Sequence, residues 1–206
     1  MAGGRGTRLR PYTNILPKPL LPLGLRSILD VNIRQLVSSG VDNIFIAVGY
    51  LGDLIENIIG NGEKYGATIK YSYEEMPLGT VGALSLICDK LEDDFIVMNG
   101  DILHNIDFKA LQIQHNEDDS DVTITTFTQL HKVRLGVLKK KGDRIIEYIE
   151  KPTREYDVSM GIYVMNRSIV DDYIDKNNPM DFPDLINLLI NDGKQISSFS
   201  HKGLWI

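Results

Sequence analysis

Cysteine is almost absent from this chain. Cys88 stands alone among 206 residues, which excludes an internal disulfide and leaves no Cys/His cluster to hold a zinc ion. Its setting, ALSLIC, is apolar and marks a buried structural thiol, not a nucleophile. Four histidines (His104, His115, His131, His201) are scattered and read as surface or helper groups. No apolar run approaches the roughly 18 residues that a membrane-crossing helix needs. The opening residues put glycine and arginine where a secretory leader carries its apolar stretch, so a cytoplasmic protein without a membrane partner is the expectation. A lysine-rich coat is missing as well: the net charge is −6, which argues against a nucleic-acid partner. Neither G-x-x-x-x-G-K-[ST] nor G-x-G-x-x-G occurs, which removes a standard P-loop and a dinucleotide-binding dehydrogenase.

What is present is concentrated at the start. MAGGRGTRLRPYTNILPKPLLPLG combines a glycine-rich turn, prolines that cannot sit inside a helix, and Lys18 held between Pro17 and Pro19. Through residue 29 there are five basic side chains (Arg5, Arg8, Arg10, Lys18, Arg26) and no acidic one, so the rest of the chain sums to −11. A cationic glycine-rich segment on an acidic protein suits a polyphosphate. Glycines let the backbone approach the anion, and consecutive N–H groups form a nest for it.

The remainder alternates apolar strands with amphipathic helices and has 43 % hydrophobic residues, which predicts one α/β domain with a mostly parallel, Rossmann-like sheet flanked by helices. Helices are expected at 28–39 (with Gly40 as its stop), 51–59, 80–88, 108–115, 168–175 and 182–191. Strands are expected at 43–49, 67–73, 95–99 and 159–166. After residue 120 the texture turns β-rich, and Lys-Gly-Asp joins LGVLKK to RIIEYIE as a hairpin. Both ends look cut: only Met1 and Ala2 precede the glycines, where a buried strand is expected, and the last residues, GLWI, are strand-like.

Four clusters fall where ligands bind in open α/β sheets, just past the C-terminal ends of strands. They are the opening loop, EEMPLGTVGA (74–83), Asn99-Gly100-Asp101 and Glu150-Lys151-Pro152. In that order and spacing, G-G-x-G-T-R-L-x-P-x-T, P-K-P-L, L-G-T-x-G-A, N-G-D and E-K-P resemble the sugar-1-phosphate nucleotidyltransferases, closest to the branch related to mannose-1-phosphate guanylyltransferases. The likeness covers essentially the whole chain. It implies an enzyme that condenses an NTP and a sugar 1-phosphate to an NDP-sugar and pyrophosphate, feeding glycan or surface-polysaccharide synthesis, and it leaves a homo-oligomer open.

The resemblance also implies roles. Backbone groups of Ala2, Gly3, Gly4, Gly6 and Thr7 would cradle the triphosphate. Arg8 would hold the departing pyrophosphate, and Lys18 the α-phosphate and the attacking sugar phosphate. Gly79 and Thr80 would border the nucleotide, while Gly136, Glu150 and Ser159 would face the sugar and Lys151 its phosphate. Asp101 would ligate Mg²⁺, with a second aspartate expected immediately after Ile206. Relatives that use UTP or dTTP commonly carry glutamine before the P-x-G-T turn, where this chain has Glu74 and Glu75. A carboxylate only accepts hydrogen bonds, and guanine offers two adjacent donors, N1–H and the 2-amino group, so GTP is preferred with Glu75 as the candidate reader. Ser159-Met160-Gly161 stands where many relatives have Asn-Ala-Gly, which leaves the sugar open. Two alternatives remain: an enzyme that uses UTP, dTTP or CTP, and a non-catalytic regulatory homologue that binds a sugar nucleotide. Lys18, Asp101 and Lys151 favour the enzyme.

Overall fold

The computed structural model describes residues 1–4, 6–176 and 178–206; Arg5, one of the five early basic residues, lies outside the described residues. The opening prolines break the chain into three 3₁₀ turns, Thr7–Leu9, Tyr12–Asn14 and Lys18–Leu20. A small hairpin of β1 (Pro22–Leu23) and β2 (Arg26–Ser27) then delivers Ser27, whose hydroxyl accepts the Asp30 amide and caps α1 (Ile28–Ser38). Leu29, Ile33 and Leu36 bury one face of α1, and Gly40, at φ 101°, ends it.

β3 (Asn43–Val48), α2 (Gly52–Ile59) and β4 (Thr68–Tyr73) make a βαβ unit, with the two strands parallel and Asn43 opposite Thr68. The helix expected at 80–88 is not continuous. α3 covers only Gly79–Gly82, followed by 3₁₀ turns at Ala83–Leu86 and Cys88–Lys90. The first amides, those of Val81 and Gly82, are bonded to the Met180 carbonyl, and the Ser85 hydroxyl takes the Gly82 carbonyl at 2.6 Å. That side-chain bond competes with the helical ladder and tightens the turn.

β5 (Asp94–Met98) is followed by α4 (Phe108–Glu117), which Asp107 caps by accepting the Lys109 and Ala110 amides. Next come β6 (Val122–Lys132) and the hairpin of β7 (Val137–Lys141) and β8 (Arg144–Ile149), which turns at Gly142-Asp143 as expected. β9 (Thr153–Asn166), α5 (Arg167–Tyr173), α6 (Phe182–Asn191) and β10 (Ile196–His201) complete the chain. The four-stranded sheet runs β10-β6-β9-β5, and β9 alone is antiparallel to its neighbours. Met1 and Ala2 link this sheet to the β3-β4 pair. The Ala2 amide donates to Ala47 O, and the Met1 carbonyl accepts from the Gly100 amide, both at 2.8 Å.

Helices pack on both sheet faces, so the central strands are apolar throughout: Val97, Ile162, Val164 and Met165 are buried. Two histidines are buried too, against the surface reading. His115 fits because its ring nitrogens meet Thr123 Oγ1 at 2.8 Å and Asn166 Oδ1 at 3.0 Å, while His104 packs edge-on to Phe108. No helix among the described residues is long and apolar enough to cross a membrane.

Candidate active site

The C-terminal ends of the central strands open on a pocket of about 360 Å³, lined among others by Ala2, Gly3, Gly4, Gly6, Lys18, Glu74, Gly79, Thr80, Asn99 and Asp101. Residues from three of the four sequence clusters thus share one cavity. Gly6 shapes the opening loop: it sits at φ 56°, and a Cβ there would come 2.9 Å from Thr13 Cγ2. Buried Thr13 in turn donates its hydroxyl to Gly6 O at 2.8 Å and ties the loop down. Gly4 has nothing within 4 Å of its Cβ position and fronts open space in the pocket.

Lys18 Nζ lies 2.7 Å from Asp101 Oδ2 across the pocket floor. Both side chains are about a third exposed, so the pair adds at most about 1 kcal/mol to stability. Its significance is chemical: a cation and a hard carboxylate are held together beside the glycine-rich opening loop. Asp101 is fixed from behind by buried Asn32 on α1, whose amide donates to Ile102 O at 3.0 Å and lies 3.5 Å from Gly100 O. Nothing in the opening motifs signals Asn32; its only sequence mark is polarity on the apolar face of α1.

Of the two glutamates before the turn, the structure puts Glu74 in the pocket and leaves Glu75 exposed and outside its lining. Of the two, Glu74 is thus the carboxylate that the pocket wall presents. The Glu74 amide still bonds Val48 O and extends the β4 ladder, so its side chain follows the strand's alternation into the pocket. One carboxylate oxygen accepts the Leu78 amide at 3.0 Å; the other faces Gly3. Gly79 holds φ 76°, and a Cβ there would come within 2.5 Å of Met180 O. Thr80 spends its amide on Asp181 Oδ1 and receives the Phe182 amide on its hydroxyl, both at 2.8 Å, leaving the hydroxyl proton to face a ligand.

Thr7 and Arg8 lie on an exposed 3₁₀ turn at the rim, outside the lining of the pocket. The sugar-side residues lie outside it as well. Lys151, in a left-handed conformation at φ 46°, pairs with Glu150 at 3.0 Å, and the Tyr148 hydroxyl donates to Glu150. Gly136 leaves room for that same tyrosine, while the Ser159 hydroxyl bonds Tyr163 at 2.9 Å. Cys88 is buried, and burial together with its bond to Asp171 pushes the thiol up to about 11, so it carries no nucleophilic chemistry.

Among the described residues no three His, Cys, Asp or Glu side chains converge into an all-protein metal cage. Asp101 nevertheless suits magnesium, which takes one or two carboxylates and completes its shell with water and phosphate oxygens. One carboxylate facing an open anion pocket is that kind of donor set.

Comparison with known proteins fits this geometry. The family described as Nucleotidyl transferase matches residues 1–206. A mannose-1-phosphate guanyltransferase of Yarrowia lipolytica is 35% identical over 83% of this chain and 49% of its own length, and one of Candida albicans is 32% identical over 100% and 59%. This chain thus spans roughly half to three fifths of those curated relatives. The crystal structure of HddC from Yersinia pseudotuberculosis complexed with GMP-PN superposes with a TM-score of 0.76, at 26% identity over 100% of this chain and 90% of that one. With its whole length matched and three of its four motif clusters gathered at one strand-end pocket, the chain belongs to the nucleotidyl transferase family.

Proposed function

We propose that this chain carries the catalytic centre of a guanylyltransferase that condenses GTP with a sugar 1-phosphate, releasing pyrophosphate and a GDP-sugar. The observation that carries the reading is the Lys18–Asp101 pair set beside the Gly3–Gly6 loop, with Glu74 on the same pocket wall. The names of the Yarrowia and Candida relatives and the guanine nucleotide bound to HddC support the base.

In this reading the pocket works by alignment and charge placement, with no covalent intermediate. Backbone N–H groups of Gly3, Gly4, Gly6 and Thr7 receive the triphosphate oxygens, Ala2 lines the pocket with its own amide held by Ala47 O, and Arg8 at the rim takes the departing pyrophosphate. Glu74 accepts guanine's N1–H and 2-amino protons, while Gly79 and Thr80 hold the edge of the nucleotide. A sugar-phosphate oxygen attacks the α-phosphorus in line, the bond to the bridging oxygen breaks, and pyrophosphate leaves with that electron pair. Lys18 stands over both phosphates and offsets the negative charge brought together. Magnesium, when bound, neutralises phosphate oxygens as a Lewis acid. Asp101 is the residue to hold it, and Asn32 fixes the backbone on both sides of Asp101. Ile206 exchanges both backbone bonds with Leu103, two residues past Asp101.

Glu150, Lys151, Gly136 and Ser159 form the sugar side of this proposal, with Lys151 turned from Glu150 to the sugar phosphate when substrate binds. A cytoplasmic setting, where nucleoside triphosphates and magnesium are at hand, goes with it. The test is pyrophosphate release by the full-length protein with Mg²⁺, across GTP, UTP, dTTP and CTP and a panel of sugar 1-phosphates. Release with GTP and one sugar is expected. Preference for a pyrimidine overturns the Glu74 argument, and nucleotide binding without any release favours the regulatory homologue.

A further inference from the structure

We infer that the β7–β8 ribbon docks on an anionic lipid bilayer, its apolar outer face entering the interface while the lysines near its tip pair with headgroups. The expectation of no membrane partner rests on the whole-chain charge of −6 and on the lack of a spanning segment, and neither describes this lobe. Residues 129–156 hold eight Lys and Arg against four Asp and Glu, a net +4, so the rest of the chain carries −10. A molecule polarised in this way turns its lobe toward a negative surface and is repelled from it in other orientations.

The ribbon has an unpartnered apolar face. β7 and β8 form a two-stranded sheet that pairs with no other strand among the described residues. Every residue of both strands is exposed except Val137 and Ile149 at the base. Val137 opposite Ile149 and Lys139 opposite Glu147 turn to one side, where the lysine and glutamate pair at 2.6 Å. Leu138 opposite Tyr148 therefore turns to the other. The register then slips, so that Ile145 and Ile146 together oppose Lys140, on the Leu138 side of the alternation. Leu138, Ile145, Ile146 and Tyr148 are between 41% and 64% exposed. A two-stranded ribbon needs packing on one face to be firmly held, and this face is offered to solvent.

Residue type decides between a bilayer and a protein partner. The cores of protein interfaces are depleted of lysine and built on aromatic, methionine and arginine anchors. Here Lys139, Lys140, Lys141 and Arg144 border mainly aliphatic side chains, with Lys140 set among them. Lysine stems lie along apolar surface while the ammonium stays at polar depth, as in an interfacial anchor. Exposed Lys132 and Arg134 extend the charge past the base of the ribbon. Of the two acids on the ribbon, Glu147 is already paired with Lys139, which leaves Asp143 at the turn against three cations.

The test floats the full-length protein with vesicles of phosphatidylcholine, alone or with about one third phosphatidylglycerol, at low and high salt. Binding to the mixed vesicles at low salt is expected, with little on phosphatidylcholine alone and release as salt rises. Each cation at an anionic surface is worth about fivefold in partition, so Lys140→Gln, Lys141→Gln and Arg144→Gln together should weaken binding by about 10²-fold. Leu138→Gln with Ile146→Gln should weaken it by about tenfold or more. Ile146→Cys reports occupancy: a maleimide should label it freely in buffer and be shut out by the mixed vesicles. No binding to mixed vesicles, or undiminished binding by either multiple variant, overturns the assignment. So does slow labelling in lipid-free buffer, because another part of the protein or a second copy then covers the face. All the substituted residues lie outside the pocket lining, and no readout depends on nucleotide transfer.

Discussion

Replacing Glu74 by glutamine keeps the side chain's length and its bond to the Leu78 amide, since the amide oxygen can accept it as the carboxylate does. What changes is the atom left facing the pocket: an acceptor becomes an N–H₂ donor. Against guanine this removes one charge-assisted bond, worth about 1.5–3 kcal/mol, and sets donor against donor. At the upper figure the change is about 3 kcal/mol, roughly a 150-fold loss in kcat/KM for GTP. Uracil presents a carbonyl beside its single N–H, so UTP should lose little or gain, and the GTP/UTP ratio should fall steeply. Glu75→Gln is the internal control, because that side chain is exposed and off the pocket lining. Steady-state pyrophosphate release from the full-length protein measures all of this. A GTP value within twofold of the parent for Glu74→Gln, or a larger effect from Glu75→Gln, would refute the reasoning.

Lys18→Ala and Asp101→Ala should each lower kcat by about 10² or more while leaving the thermal midpoint within a few degrees, since their pair is too exposed to matter for folding; full turnover in either variant removes the assigned roles. Gly79→Ala forces a methyl to 2.5 Å from Met180 O at φ 76° and should cost about 1–3 kcal/mol in urea denaturation, with weaker nucleotide binding; a neutral result contradicts the tight seating of that turn. Burial, with a smaller contribution from His201, lowers His104 to about 4. Its folded pKa therefore lies below its unfolded value of about 6.5, so stability is complete above that pH and declines as pH falls toward 4. The urea midpoint should slope down across that window, and His104→Gln should flatten the slope; a parent profile without that slope contradicts the assignment.

The strands and most helices were legible because their apolar spacing leaves one solution. NIFIAV has apolar side chains on both faces and lies between two helical layers, and the Ser27–Asp30 cap marks the start of α1 in the sequence itself. The 80–88 segment was misread because its shape is set by Met180 and Ser85, one remote and one a side-chain competitor, and neither alters the helical spacing. The opening loop, Lys18 and Asp101 could be read from motif order. Which of Glu74 and Glu75 lines the pocket could not, because it depends on how far the β4 ladder continues past Tyr73. A bond from the Glu74 amide to a neighbouring strand decides it. Asn32 was hidden for a similar reason: its partners are carbonyls 68 and 70 residues away.

β9 divides into two lengths with different obligations. From Met160 to Met165 it is buried between β5 and β6, whereas from Thr153 to Asp157 it projects with β6 beyond the core. A substitution in the projecting length, or on the β7–β8 hairpin that precedes it, meets mostly solvent and disturbs little packing. Drift there is cheap in stability, while drift six residues further along the same strand unsettles Asn99 and the pocket through the Gly161 carbonyl. A lineage carrying this strand can therefore change what its outer half touches, one residue at a time, without renegotiating the inner half.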